Sequence, residues 1–234
     1  MNRPLKTIVA VTLIGVTLAF LSCNGKTQSG KINGHSYVDL GLPSGTLWAT
    51  SNMGAKSPQK DGDYFAWGET VPKTNYSWSS YKYGIDENKL KKYCGIKSFG
   101  VNGFVDNLNK LESSDDAATV KWGKGWRTPT FEEWMELRKC CGHVWTTFKG
   151  VNGLLFIATN GKQLFLPAAG CCYDENLAIA KDRVGHYMAN SLYVNHPNFA
   201  WGFFFDSSGC TIDEIQGRKS RYFGVSIRPV HSAE

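Results

Sequence analysis

The sequence has no apolar run long enough to cross a membrane as a helix. The longest, Ile8 to Leu21, has 14 residues, where about 20 are needed. It has no long run of basic residues. The net charge of +6 falls nearer +4 once Arg3 and Lys6 are set aside, which does not argue for nucleic acid. There is no Gly-x-Ser-x-Gly, no His-Glu-x-x-His and no phosphate loop, so the common hydrolase, zinc-protease and nucleotide chemistries have no word here. No repeat of fixed period and no second domain boundary interrupt the 234 residues. What is present is aromatic. Eight Trp and an aromatic fraction of 13% predict either a bulky core or a ring-lined binding surface.

Residues 1–22 read as a secretory signal, with a basic Met1-Asn2-Arg3-Pro4-Leu5-Lys6 start followed by the short apolar run. Phe20-Leu21-Ser22-Cys23 resembles a relaxed bacterial lipobox, in which Cys23 is acylated and becomes the new N-terminus. Acyl chains anchor at about 0.8 kcal/mol per buried CH₂. The following residues are polar and small, so 23–33 reads as a flexible tether. The expectation is an exported, outer-membrane lipoprotein, with the periplasmic face and the cell surface both open.

Beyond the tether, His35 to Thr50 reads as two strands around Pro43-Ser44-Gly45, and Tyr64-Phe65 as another strand. Residues 72–110 read as long loops. Ser113 to Trp122 is a helix candidate with a serine cap and with Asp115 and Asp116 in its first turn. Thr130 and Glu133 spell a capping box ahead of Phe131, Trp134, Leu137 or Arg138, and Cys141 at helical spacing, with Glu132 and Glu136 free to face solvent. Asn160-Gly161 between two apolar runs predicts a hairpin with a type I′ turn. Short aromatic strands fill the last third. The fold class is a loop-rich α+β domain.

Several words identify a resemblance. Tyr37 to Ala49, Gly62 to Thr70, Asp115-Asp116-Ala117-Ala118, Trp126-Arg127-Thr128-Pro129-Thr130 with Glu133-Trp134, Phe165 to Gly170 and Val225 to Val230 occur in this order. They resemble the Fibrobacter succinogenes major paralogous domain family across residues 34–230. That family is similar in turn to formylglycine-generating-enzyme-like and C-type-lectin-like domains. The resemblance implies one C-type-lectin-like domain over 34–232, with twisted antiparallel sheets and two or three short helices, on a lipid-anchored protein of Bacteroidetes type. It also implies a Cys94–Cys141 disulfide, although six cysteines beyond Cys23 allow 15 pairings on their own.

The chemical candidates are few. A zinc site at Cys140, Cys141 and His143 has poor ligand spacing, and no metal or cofactor is expected. The C-terminal cysteine pair that binds copper in formylglycine-generating enzymes is missing, as are the calcium words of sugar-binding lectins. Five scattered histidines read as surface residues. Tyr76, Trp78, Tyr81 and Tyr83 crowd one loop, and Tyr187, Tyr193, Phe199 and Trp201 another. Tyr76, Trp78, Tyr81, Tyr187, Tyr193 and Trp201 are the candidate ligand-contacting rings, with a filled interior as the competing explanation. The expected function is a non-enzymatic binding or adhesion module that presents loops 72–110 and 171–220 to glycan or to a surface protein. An envelope- or polysaccharide-acting enzyme with a loop carboxylate pair, or a structural part of an outer-membrane or fimbria-like assembly, are the alternatives.

Overall fold

The computed structural model describes residues 29–211 and 217–232. The signal segment, Cys23 and the first part of the tether lie outside these residues. In chain order the strands begin with β1 (Gly30–Ile32), β2 (His35–Asp39), β3 (Leu47–Ala49), β4 (Tyr64–Phe65) and β5 (Trp126–Arg127). Next come β6 (Gly142–Phe148), β7 (Val151–Ile157), β8 (Gln163–Pro167), β9 (Cys171–Tyr173) and β10 (Asn176–Ile179). The last are β11 (Val184–Leu192), β12 (Phe199–Asp206), β13 (Gly209–Thr211), β14 (Arg218–Ser220), β15 (Val225–Ser226) and β16 (Val230–His231). Two α-helices, α1 (Ala117–Trp122) and α2 (Phe131–Cys140), precede β6.

The described strands form four sheets, in the orders β1-β2-β3-β16-β5, β13-β12-β11-β15-β4, β6-β7-β8 and β10-β9, with β14 also paired to β12. Strands dominate and helices are short, an α+β architecture built mostly from antiparallel pairs. The first sheet closes the chain on itself, because β16 inserts between β3 and β5. The expected tether ends early: β1 pairs with β2 from Gly30, so residues 30–33 belong to the first hairpin.

Helix α2 starts as its sequence predicts. The Thr130 hydroxyl accepts the Glu133 N–H at 3.1 Å, and Glu133 accepts the Thr130 N–H at 2.8 Å. Glu133 also takes both Arg127 guanidinium nitrogens at 2.6 Å. Glu136, expected in solvent, instead receives the backbone N–H and the hydroxyl of Ser44. The helix buries Trp134, whose ring stacks on Phe203 at 4.8 Å and whose indole N–H donates to the Met188 carbonyl. One buried cluster forms here, joining α2 to β3, β7, β8, β11 and β12.

A second cluster lies under residues 64–94 and is rich in aromatic rings, among them Phe65, Trp67, Tyr76, Tyr81, Tyr83 and Tyr93. At its centre is Arg221, 1% exposed. It donates to Tyr81 Oη and to the carbonyls of Lys92, Tyr93 and Pro197, with its guanidinium 4.9 Å from the Trp67 ring. Each guanidinium nitrogen of the buried cation is thus aimed at an acceptor, with four of its five N–H groups paired, which is what allows it to lie in an apolar cluster.

Two local expectations are corrected. Helix α1 is capped by Asp116 rather than by a serine: its carboxylate accepts the N–H groups of Ala118 and Thr119, and also the N–H and hydroxyl of Thr128. Asp115 instead receives Tyr83, Tyr93 and Lys92. The Asn160-Gly161 turn is not type I′, because only Gly161 has positive φ (+79°). Gly161 N–H donates to Ala158 O, and Ala158 N–H to Lys162 O, the pattern of a type I turn followed by a glycine bulge. Two-residue turns with both φ positive are Lys149 (+50°) and Gly150 (+81°), between β6 and β7, and Asn33 (+51°) and Gly34 (+82°), between β1 and β2.

Candidate functional site

The Lys149-Gly150 turn folds β6 onto β7 and sets Trp145 opposite Leu154. Trp145 is half-buried. It packs against the first cluster, with its ring 6.2 Å from Phe205, and it also lines an open groove. On β7, Asn152 accepts from Thr147 Oγ1 at 2.7 Å and donates to the Asp182 carbonyl at 3.1 Å, tying the hairpin to the turn before β11.

That turn is tightly wound. Ala178, Ala180 and Asp182 all have positive φ (+53°, +58° and +62°) without being glycine. Asp182 N–H donates to the Ala168 carbonyl, which pins the turn to the end of β8. The result is that Asp182 and Arg183 stand exposed at the rim. Asp206 ends β12 directly opposite Val184. Its Oδ1 accepts the N–H and the hydroxyl of Ser208 at 2.8 and 2.6 Å, which closes the β12–β13 turn.

Together, Trp145, Asn152, Asp182, Arg183, Asp206 and Ser207 line a groove of about 640 Å³. It presents one aromatic ring, two carboxylates, a guanidinium, an amide and a hydroxyl. Such a set suits a polyhydroxylated ligand, whose C–H face packs on a ring while its hydroxyls bond to polar groups around the edge.

A second, small pocket of about 20 Å³ lies against His186, Lys219, Arg221 and Trp67. It has room for about one water. Burial, reinforced by Lys219, pushes His186 down to about 3. Burial also lowers Lys219, against the opposing pull of Cys171, and raises the Cys171 thiol. Burial thus disfavours the charged form of each of these groups. Among the described residues no three His, Cys, Asp or Glu side chains converge as a metal site.

Most of the sequence-predicted site does not form. Tyr76, Tyr81, Tyr187 and Tyr193 are buried, between 1% and 6% exposed. The hydroxyls of Tyr76, Tyr81 and Tyr187 donate inward to the carbonyls of Tyr64, Trp67 and Pro167. Trp78 is half-buried against Tyr81 and Tyr222, and Trp201 against Phe131 and Tyr193. The four tyrosines fill the interior, while Trp78 and Trp201 keep part of their surface open. The Cys94–Cys141 bridge is also corrected: both thiols are free and buried, as are Cys171 and Cys172, while Cys140 and Cys210 are free and half-buried. Cys141 packs in the first cluster, and Cys94 donates to Ile96 O within its own loop. Cys23 lies outside the described residues.

Sequence reading missed Trp145, Asp182 and Arg183. A usable signal was present for the first: His143-Val144-Trp145-Thr146-Thr147-Phe148 is rich in β-branched and aromatic residues and runs into Lys149-Gly150. The described residues therefore form an α+β architecture that carries an open, mixed polar and aromatic groove. No protein-family model, curated protein or solved structure matches the chain.

Proposed function

We propose that this chain is an exported, lipid-anchored envelope protein of the Fibrobacter succinogenes major paralogous domain type, with a C-type-lectin-like fold, acting as a non-enzymatic glycan-binding module. The observation that carries the reading is the groove in which Trp145 stands among Asn152, Asp182, Arg183, Asp206 and Ser207. The lipobox-like Cys23 and the ordered family words support the placement and the family. The groove moves recognition away from the aromatic loops, onto the β6–β7 hairpin and the turn before β11.

A second reading draws on one specific feature. Asp182 and Asp206 share the groove, and a carboxylate pair flanking a glycosidic bond is the machinery of glycoside hydrolysis. One Asp206 oxygen is already taken by Ser208, which favours a binding role.

The test is a glycan array on the chain from Asn24 onward, followed by titration and product analysis with any hit. Arg183→Ala and Asp182→Asn alter exposed side chains, and asparagine tolerates the positive φ at 182. Each should weaken binding about tenfold or more, the loss of roughly one charge-assisted hydrogen bond, with thermal stability unchanged. Binding that is indifferent to both variants removes the groove as the site. Glycan cleavage that Asp182→Asn or Asp206→Asn abolishes would replace binding with hydrolysis.

A further inference from the structure

A third pocket, of about 260 Å³, lies where the N-terminal hairpin meets the end of α1. Its floor is an aromatic pair: His35 stacks on Trp122 with centroids 3.8 Å apart and planes 6° from parallel. Asn33 donates to the Trp122 carbonyl, and Trp126 donates to Ile32 O, so the hairpin is latched to α1 at this point. Lys31 and Lys56 line the pocket with the hydroxyl residues Ser36 and Ser51, and among the described residues no carboxylate lines it. Both lysines are exposed, and neither forms an ion pair among the described residues. Lys121 and Lys124 flank Trp122 and are equally exposed. Asp63 packs at Gly54 nearby, and Asp61 is already paired with Lys181. The pocket is therefore a cationic recess with hydroxyl donors, suited to a phosphate-type anion.

Its position says where that anion comes from. Lys31 is the first residue after Gly30, and the seven links from Cys23 to Gly30 span at most about 25 Å. They include Lys26 and no acidic residue. If Cys23 carries the lipid, this pocket is the part of the fold held nearest the bilayer. Lysines held that close to an anionic surface contribute about 1 kcal/mol each, within a screening length of about 8 Å.

We infer that the recess formed by Lys31, Lys56 and the His35–Trp122 stack takes the phosphate headgroup of an anionic phospholipid, docking the domain on the bilayer in which its own lipid is inserted. The inference rests on the lipid-anchored reading. It gives the domain a defined orientation, with the hairpin toward the membrane.

The test uses the chain from Asn24, which keeps every described element, so that binding owes nothing to acylation. Co-sedimentation is compared with vesicles of phosphatidylcholine alone and with added phosphatidylglycerol. Binding should appear only with the anionic lipid and fall as salt rises. Lys31→Gln with Lys56→Gln should reduce it roughly 30-fold, from two lysines at about fivefold each. Lys110→Gln with Lys139→Gln, which removes the same charge elsewhere, should reduce it far less. Equal losses in the two double variants, or binding independent of anionic lipid, overturn the inference. Glycerol phosphate, followed by Trp fluorescence, separates the sources: saturation by it without vesicle binding makes the ligand a soluble phosphate and also overturns the lipid claim. Mass analysis of the full chain from bacterial membranes tests the acyl group on Cys23 separately. An unmodified Cys23 sinks the anchor while leaving the vesicle result to be judged on its own.

Discussion

Replacing Glu133 with alanine should destabilise the protein by about 3 kcal/mol, and the figure follows from what the carboxylate holds. Oε1 accepts Arg127 Nη2 at 2.6 Å and Thr46 Oγ1 at 2.9 Å. Oε2 accepts Arg127 Nη1 at 2.6 Å and the Thr130 N–H at 2.8 Å. Removing one partner of a fully buried pair costs about 3–5 kcal/mol. The Arg127 side chain is 29% exposed, so water partly compensates it and the ion-pair share falls to roughly 2 kcal/mol. Losing half of the capping box adds about 1 kcal/mol. For a domain of this size the melting temperature should drop by about 6–12 °C, read by Trp fluorescence in heat and urea.

The pH dependence provides a second check on the same carboxylate. Burial works to raise the Glu133 pKa, but Arg127, Thr130 and Thr46 outweigh it and hold the group below its ordinary 4.5. A depressed carboxylate contributes stability that is present above the unfolded value and is lost as pH falls through the folded one. The gap between wild type and Glu133→Ala should therefore be full at pH 7 and begin to close below about 4.5. A cost under about 1 kcal/mol at pH 7, or a gap that widens in acid, would refute this account of the brace.

His186 makes the chain acid-sensitive in a different window. Burial keeps it neutral in the fold down to about 3, while the unfolded chain binds its proton near 6.5. Stability is then present above about 6.5 and declines by up to ~1.4 kcal/mol per pH unit below it, a slope that His186→Gln should flatten in denaturant titrations. Thiol titration of the unfolded chain from Asn24 should find all six cysteines free without reductant, and reductant should leave the melting temperature unchanged. Gly150→Ala should cost about 1–2 kcal/mol from backbone conformation alone, because φ is +81° and no atom lies within 4 Å of a Cβ there. A neutral Gly150→Ala in urea melts would argue against the type I′ turn.

What the sequence by itself determined was local. The capping box at Thr130 and Glu133, the β2–β3 pair, the strand at Tyr64-Phe65 and the irregular run over 72–110 depend on neighbours a few residues apart, so residue type and spacing are enough. Even there, Asn160-Gly161 spells a type I′ turn yet forms a type I turn with a glycine bulge, whereas Asn33-Gly34 and Lys149-Gly150 take positive φ at both residues. Tertiary structure alone decided burial and partnership. Tyr187 reads as an exposed loop aromatic until Asn52, 135 residues away, and the Pro167 carbonyl are found at its hydroxyl. Asp115 and Asp116 are adjacent and alike in sequence, yet one caps α1 and the other gathers Tyr83, Tyr93 and Lys92. Cys94 and Cys141 pair on paper and are free in the fold. The groove at Trp145 draws on β6, β7, the turn before β11 and the end of β12, segments brought together only by closure of the sheets. The reason is physical. Capping and turn preferences are energies of short chain segments, whereas burial and site geometry are sums over contacts between distant ones.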